Sequence, residues 1–199
     1  MVRFGVTGGI GSGKSYVLRL LAARGIPVYD SDAGAKRLMR TDTDIRKGLT
    51  DLLGEEVYTA DGELNKPLVS AYLFANAQNA GRINAIVHPR VKADFNRWTS
   101  CQNAPHVALE SAILFEAGFE DTVDFIVTVY APVEMRICRV RERDGMAEAQ
   151  VRKRMEAQLD DEEKCRRSDF VILNDGSKPL EVQIDGLLQI LGKMEKAKD

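Results

Sequence analysis

Gly8-Gly9-Ile10-Gly11-Ser12-Gly13-Lys14-Ser15 reads G-x-x-x-x-G-K-S, and its flanks decide the fold. Ahead of it, Val2-Arg3-Phe4-Gly5-Val6-Thr7 is short, β-prone and apolar at alternate positions; behind it, Tyr16 to Arg24 consists of helix formers. Strand, glycine loop and helix is the setting in which this pattern cradles a phosphate. Glycine-rich backbone lets successive N–H groups turn inward around an anion, and the positive end of the following helix adds to their pull. Gly9, Ile10, Gly11, Ser12, Gly13, Lys14 and Ser15 are therefore the expected contacts to a nucleoside triphosphate. Lys14 would reach its β and γ phosphates and the Ser15 hydroxyl would coordinate Mg²⁺. The motif is silent on what receives the phosphate.

Composition narrows the setting. At 199 residues the chain suits one α/β domain with insertions, against a prior of about 150 residues per domain. A formal net charge of −2 asks for neither nucleic acid nor an anionic membrane, so any basic site must be local. Cys101, Cys138 and Cys165 are an odd set without a C-x-x-C pair, which reads as reduced thiols, buried or incidental, in a cytosolic protein. The N-terminus enters a strand at once, without the succession of a signal peptide. No run approaches the ~18 apolar residues of a membrane span. These features predict a soluble, cytoplasmic protein. The charged tail 193–199 is expected to fray.

Along the chain, Ile26 to Tyr29 reads as a short buried strand ending at Asp30-Ser31-Asp32. From Ala33 to Ser100 the spacing is helical: Ala33 to Arg40, then Ile45, Leu49, Leu52 and Leu53, then Leu64 to Phe74 with Pro67 in its first turn. Ile83 through Trp98 keeps that spacing across Pro89, as one kinked helix or two. This makes a helical insertion, about 33–100, between sheet strands. The sheet resumes at Val107 to Glu110, Phe125 to Tyr130 and Phe170 to Leu173, giving five strands. Val133 to Arg143 and the charged stretch Glu148 to Lys164 are helical, the latter within a lid of about 139–165. The last helix carries Leu180, Ile184, Leu187, Leu188 and Leu191 on one face, either core or interface, so a monomer or weak homo-oligomer is expected. The fold class is α/β, a three-layer sandwich around a five-stranded parallel sheet of the phosphate-loop type.

Phosphoryl transfer needs positioning and charge neutralisation, so the remaining search is for a carboxylate at the acceptor and cations at the γ phosphate. Asp32, just past the second strand, either accepts a proton from a substrate hydroxyl or caps the next helix. Glu110 ends the third strand and either holds Mg²⁺ through water with Ser15 or forms a salt bridge. Arg136, Arg139 and Arg143 share a helix, with Arg141, Arg152 and Arg154 nearby, a set that fits a lid over the nucleotide. His88 precedes Pro89 and is a possible substrate contact. Asn65-Lys66-Pro67-Leu68 lacks the carboxylate of the guanine-reading N-K-x-D, which argues against a GTPase.

Gly8 to Ser15 followed by Asp30-Ser31-Asp32 resembles the dephospho-coenzyme A kinase family. Leu73-Phe74-Ala75-Asn76 and Asn84 to Pro89 are similar to its helical insertion, which holds the coenzyme A precursor. Ile113-Leu114-Phe115-Glu116, Arg139, Arg143-Asp144, Arg154 with Gln158, and Ser168 to Asn174 match further segments, the last preceding a loop that lies by the adenine. Ala112 stands where the family usually has proline, Glu110 where it often has aspartate, and Ser31 where it often has alanine. The resemblance implies ATP and Mg²⁺ as cofactors and dephospho-coenzyme A as small-molecule substrate. It also implies Lys14, Asp32 and Arg139 as catalytic residues, Asn174 at the nucleotide, and Asp32, His88 and Glu110 at the substrate. Another phosphate-loop kinase acting on a nucleoside or nucleotide is the nearest rival, and an ATP-dependent switch without an acceptor is a second.

Overall fold

Val2, Phe4 and Val6 alternate along the first strand, and all three are fully buried. The structure, a computed structural model, describes residues 1–197. Its elements are β1 (Val2–Thr7), α1 (Lys14–Ala22), β2 (Val28–Asp30), α2 (Ser31–Thr41), α3 (Thr43–Leu53), α4 (Lys66–Ala75), α5 (Ala77–Ser100), β3 (His106–Glu110), β4 (Phe125–Tyr130), α6 (Val133–Asp144), α7 (Glu148–Glu156), α8 (Asp161–Arg167), β5 (Phe170–Leu173) and α9 (Leu180–Lys196). The chain divides into two compact units, Met1–Tyr29 with Cys101–Asp199, and Asp30–Ser100.

In the first unit the five strands run in the order β2-β3-β1-β4-β5, with parallel pairing of β1 to β3 and β4 and of β4 to β5. The register sets Val6 beside Glu110 and Thr7 beside Thr128, so β1 and β3 deliver the glycine loop and Glu110 to the same edge. Chain order reverses on either side of β1, and the crevice at such a reversal is where open α/β sheets bind ligands. One face of β1 packs with Val17 and Leu21 of α1 and with Ile184, Leu187 and Leu191 of α9. Each such side chain stabilises the fold by about 1.5–3 kcal/mol on burial, and Leu187→Ala would cost about 2–5 kcal/mol. That face of α9 is core. Gly5 turns to the other side of the sheet, where an added Cβ would collide with Leu114.

The second unit is helical, with α2, α3 and α4 packed on α5. Ile45 and Leu49 of α3 and Ile83, Val87, Val91 and Phe95 of α5 are among its buried residues and stand at helical spacing. Asp42 caps α3, accepting the N–H groups of Asp44 and Ile45 at 3.0 Å each, and is held by Arg90 through Nε at 3.0 Å and Nη2 at 2.9 Å. α5 is a single helix with Pro89 inside it. Asn65 accepts the Leu68 N–H at 3.3 Å as the cap of α4, a structural use of the segment that resembled a guanine-reading motif.

Three expectations are corrected. The stretch 148–164 is two helices, because Asp160 accepts the N–H groups of Glu162 and Glu163 at 2.9 and 3.1 Å and starts α8 anew. Residues 193–196 extend α9, while the last two residues of the tail lie outside those described. Of the two readings of the thiols, buried or incidental, burial fails: Cys101 and Cys138 are exposed and Cys165 is half-buried.

Candidate active site

The loop after β1 turns its carbonyls toward the protein and leaves most of its rear amides unused. Gly13, the residue capping α1, lies in the left-handed region, φ 89° and ψ 17°, and an added Cβ would strike the Asn174 amide, so only glycine fits. The Ser12 carbonyl accepts from Asn174 Nδ2 at 2.8 Å and from Arg139 Nη1 at 3.5 Å; Arg139 Nη2 also donates to the Asn174 carbonyl at 2.9 Å. The Ile10 carbonyl accepts from Arg136 Nε at 2.8 Å.

The Gly9 N–H goes to Asp161 Oδ1 at 3.2 Å, the Ile10 N–H to Gln158 Oε1 at 2.9 Å, and the Ser12 N–H to the Gly9 carbonyl at 3.0 Å. Those of Gly11, Gly13, Lys14 and Ser15 have no partner among the described residues. Four amides at the positive end of a helix, left without acceptors, form a site for an anion. The buried Ser12 hydroxyl likewise has no partner among the described residues. A triphosphate supplies acceptors for this donor set, so the residues present fit the nucleotide.

Lys14 and Glu110 form a direct ion pair, their side chains 12% and 22% exposed. The salt bridge that the sequence left open for Glu110 is thus made, and its partner is the lysine of the loop. Asp32 lies in the second unit, in the first turn of α2. The cap of that helix is Asp30, whose Oδ1 accepts the Ala33 N–H at 2.9 Å. Asp32 is exposed and takes no hydrogen bond or ion pair among the described residues, so capping does not account for it. His88, also in the second unit, is half-buried on α5; burial, with Lys92 adding to it, holds its imidazole below the ordinary 6.5, and it is neutral at pH 7.

Of the arginines, Arg136 and Arg139 reach the loop. Arg143 pairs with the neighbouring Asp144 at 2.7 Å, and Arg152 with Glu134 and Glu148 at 3.1 and 2.8 Å, surface contacts of small energetic weight. Two residues escaped the reading of the sequence. Asp161, in an acidic run that looks like a solvated helix start, bonds the loop; Lys164 is wholly buried, donating to the Ala112 carbonyl at 3.1 Å with Glu116 3.6 Å away. Burial pushes the Lys164 ammonium below its usual 10.5, against the pull of Glu116. Lys164 stands in the charged run Asp161–Arg167, which carries no apolar spacing that would mark it.

A glycine loop between β1 and α1 with donors for an anion, at the reversal point of a five-stranded sheet, defines a phosphate-loop kinase fold. Shikimate kinase from Acinetobacter baumannii shares that fold, with a TM-score of 0.52 at 17% identity over 97% of this chain and 94% of its own. The match within the class is much closer. The family model for dephospho-CoA kinase matches residues 2–179, and the chain belongs to that family. The dephospho-CoA kinase of Bacteroides fragilis is 50% identical over 191 residues, 96% of this chain and 93% of its own. That of Salinibacter ruber is 40% identical over 180 residues, 89% and 90% of the two chains. Among solved structures, a Thermus thermophilus protein has a TM-score of 0.80 at 35% identity, covering 96% of this chain and 97% of its own.

Proposed function

We propose that the protein transfers the γ phosphate of ATP to the 3′-hydroxyl of the ribose in dephospho-coenzyme A, giving coenzyme A and ADP, the last step of coenzyme A synthesis. The observation that carries this reading is the set of unpartnered amides at Gly11, Gly13, Lys14 and Ser15, in a chain of this family. Those amides hold the phosphates. Lys14 leaves Glu110 to meet the β and γ oxygens, and Arg139, already at the Ser12 carbonyl, adds positive charge as the γ phosphoryl moves. Asp32 orients the hydroxyl and accepts its proton. Asn174 supports the nucleotide side of the site, and His88 contributes a neutral imidazole to the substrate.

The Ser15 hydroxyl and, through water, Glu110 are the groups to hold Mg²⁺, which when bound screens the charge between β and γ oxygens. No cluster of three or more metal-ligating His, Cys, Asp or Glu occurs among the described residues, as befits a cation carried mainly by phosphates and water. The helical insertion of about 33–100 would bind the substrate and the stretch of about 139–165 would serve as the lid, in a cytoplasmic enzyme acting as a monomer or weak homo-oligomer.

ADP release tests this. Dephospho-coenzyme A should stimulate steady ADP formation, whereas slow turnover indifferent to that compound would mark an ATP switch. Stimulation by nucleosides or nucleoside monophosphates instead would mark the rival kinase.

A further inference from the structure

Ile10 is fixed at each of its three points of attachment. Its N–H donates to Gln158 Oε1 at 2.9 Å, its carbonyl accepts from Arg136 Nε at 2.8 Å, and its side chain packs on Ile137, Val140 and Val151. The residue before it is fixed as well: the Gly9 N–H donates to Asp161 Oδ1 at 3.2 Å, and Asp161 is ion-paired with Arg136. Arg136 is 3% exposed and Asp161 17%, so this pair is shielded from solvent. The packing leaves no slack, since a Cβ on Gly9 would meet the Arg136 guanidinium and come within 2.6 Å of Asp161 Oδ1.

We infer that Gln158 and Asp161 are positioning residues for the phosphate loop, acting through Gly9 and Ile10 on the amides of residues 11, 13, 14 and 15. The inference rests on the reading of that loop as the nucleotide site. A chain with glycine at 8, 9, 11 and 13 loses much backbone freedom when it closes on an anion, and ordering it beforehand lowers the cost of binding. The two anchors use the front amides only and leave the rear ones for the ligand. A carboxylate beside a phosphate site would by itself repel the ligand, and the buried Arg136 next to Asp161 offsets that charge.

The anchoring segment is itself tied down. The Leu159 N–H donates to Glu116 Oε1 at 2.7 Å and Lys164 Nζ to the Ala112 carbonyl at 3.1 Å, so residues 158–164 are joined both to the phosphate loop and to the segment after β3. Within the 139–165 range, this part is a brace.

The test measures ADP and dephospho-coenzyme A affinities by calorimetry on the full chain and its variants. Gln158→Met keeps the volume and removes the acceptor; it should weaken ADP about fivefold, the scale of one hydrogen bond, and leave dephospho-coenzyme A within about twofold. Asp161→Ala should weaken ADP further, and Asp161→Asn, whose Oδ1 still accepts from Gly9, should recover part of the loss. Should Asp161→Ala fail to fold, Gln158→Met, which keeps the Arg136–Asp161 pair, decides alone. Unchanged ADP affinity in Gln158→Met, or an equal loss for both ligands, overturns the inference. Wild-type protein that binds no ADP overturns it together with the loop reading, while protein that binds ADP but does not phosphorylate dephospho-coenzyme A overturns only the acceptor.

Discussion

Asn174 Nδ2 donates to the Ser12 carbonyl at 2.8 Å, joining the end of β5 to the phosphate loop across 162 positions of sequence. Arg139 spans the same two residues through their carbonyls. Because these donors hold the Ser12 carbonyl toward the protein, the neighbouring amides are free to face the opposite way. Asn174→Ala removes the donor on Ser12 and should raise the KM for ATP about three- to tenfold, with the KM for dephospho-coenzyme A unmoved. Steady-state kinetics with each substrate varied in turn checks this.

Lys14 and Glu110 are ion-paired, so each offsets the other's charge. Lys14→Met should lower kcat by about a hundredfold to a thousandfold, the usual scale for removing a charge aimed at the transition state. Glu110→Gln should retain nucleotide binding and require more Mg²⁺ for half-maximal rate. A magnesium titration at fixed ATP separates the two variants.

The second unit contains a pH-sensitive contact. Burial pushes the Asp42 carboxyl up, but the Ile45 amide, Arg90 and the Asp44 amide outweigh it and hold the pKa below 3.8. A depressed carboxylate stabilises the fold above its unfolded pKa, and that stabilisation is lost as pH falls through the native value. Asp42→Asn keeps a cap oxygen and loses the charge facing Arg90, so it should cost about 1 kcal/mol at pH 7. Urea unfolding should show the deficit constant down to about pH 5 and closing only below 3.8.

Asp32 is relieved of the capping role by Asp30. Asp32→Asn should slow single turnover with ATP bound by about a hundredfold to ten-thousandfold while leaving ATP affinity unchanged. An undiminished rate would remove Asp32 from the chemistry.

Much of this was legible in the sequence because its signals are local. Alternation in Val2–Thr7, the glycine pattern and the apolar spacing of Leu180 to Leu191 each follow from a short window, and each element formed where those signals lay. What the windows could not carry was pairing at a distance. Gln158 and Asp161 find Ile10 and Gly9 about 150 residues away, and nothing in their neighbours says so. The break between α7 and α8 was hidden because Asp160 stands in a charged run, where a cap looks like any other solvated carboxylate. Lys164 is the sharpest case. A lysine is expected at the surface, and only the carbonyl of Ala112 and the carboxylate of Glu116 around its ammonium explain its complete burial.

The most direct measurement identifies the phosphorylated position in the product formed from ATP, Mg²⁺ and dephospho-coenzyme A, by phosphorus–proton coupling in NMR with mass confirmation. The expected result is a single new phosphate on the ribose 3′-oxygen, formed in step with ADP. Phosphate at another position, or preferential labelling of a nucleoside monophosphate when both acceptors are offered, would contradict it.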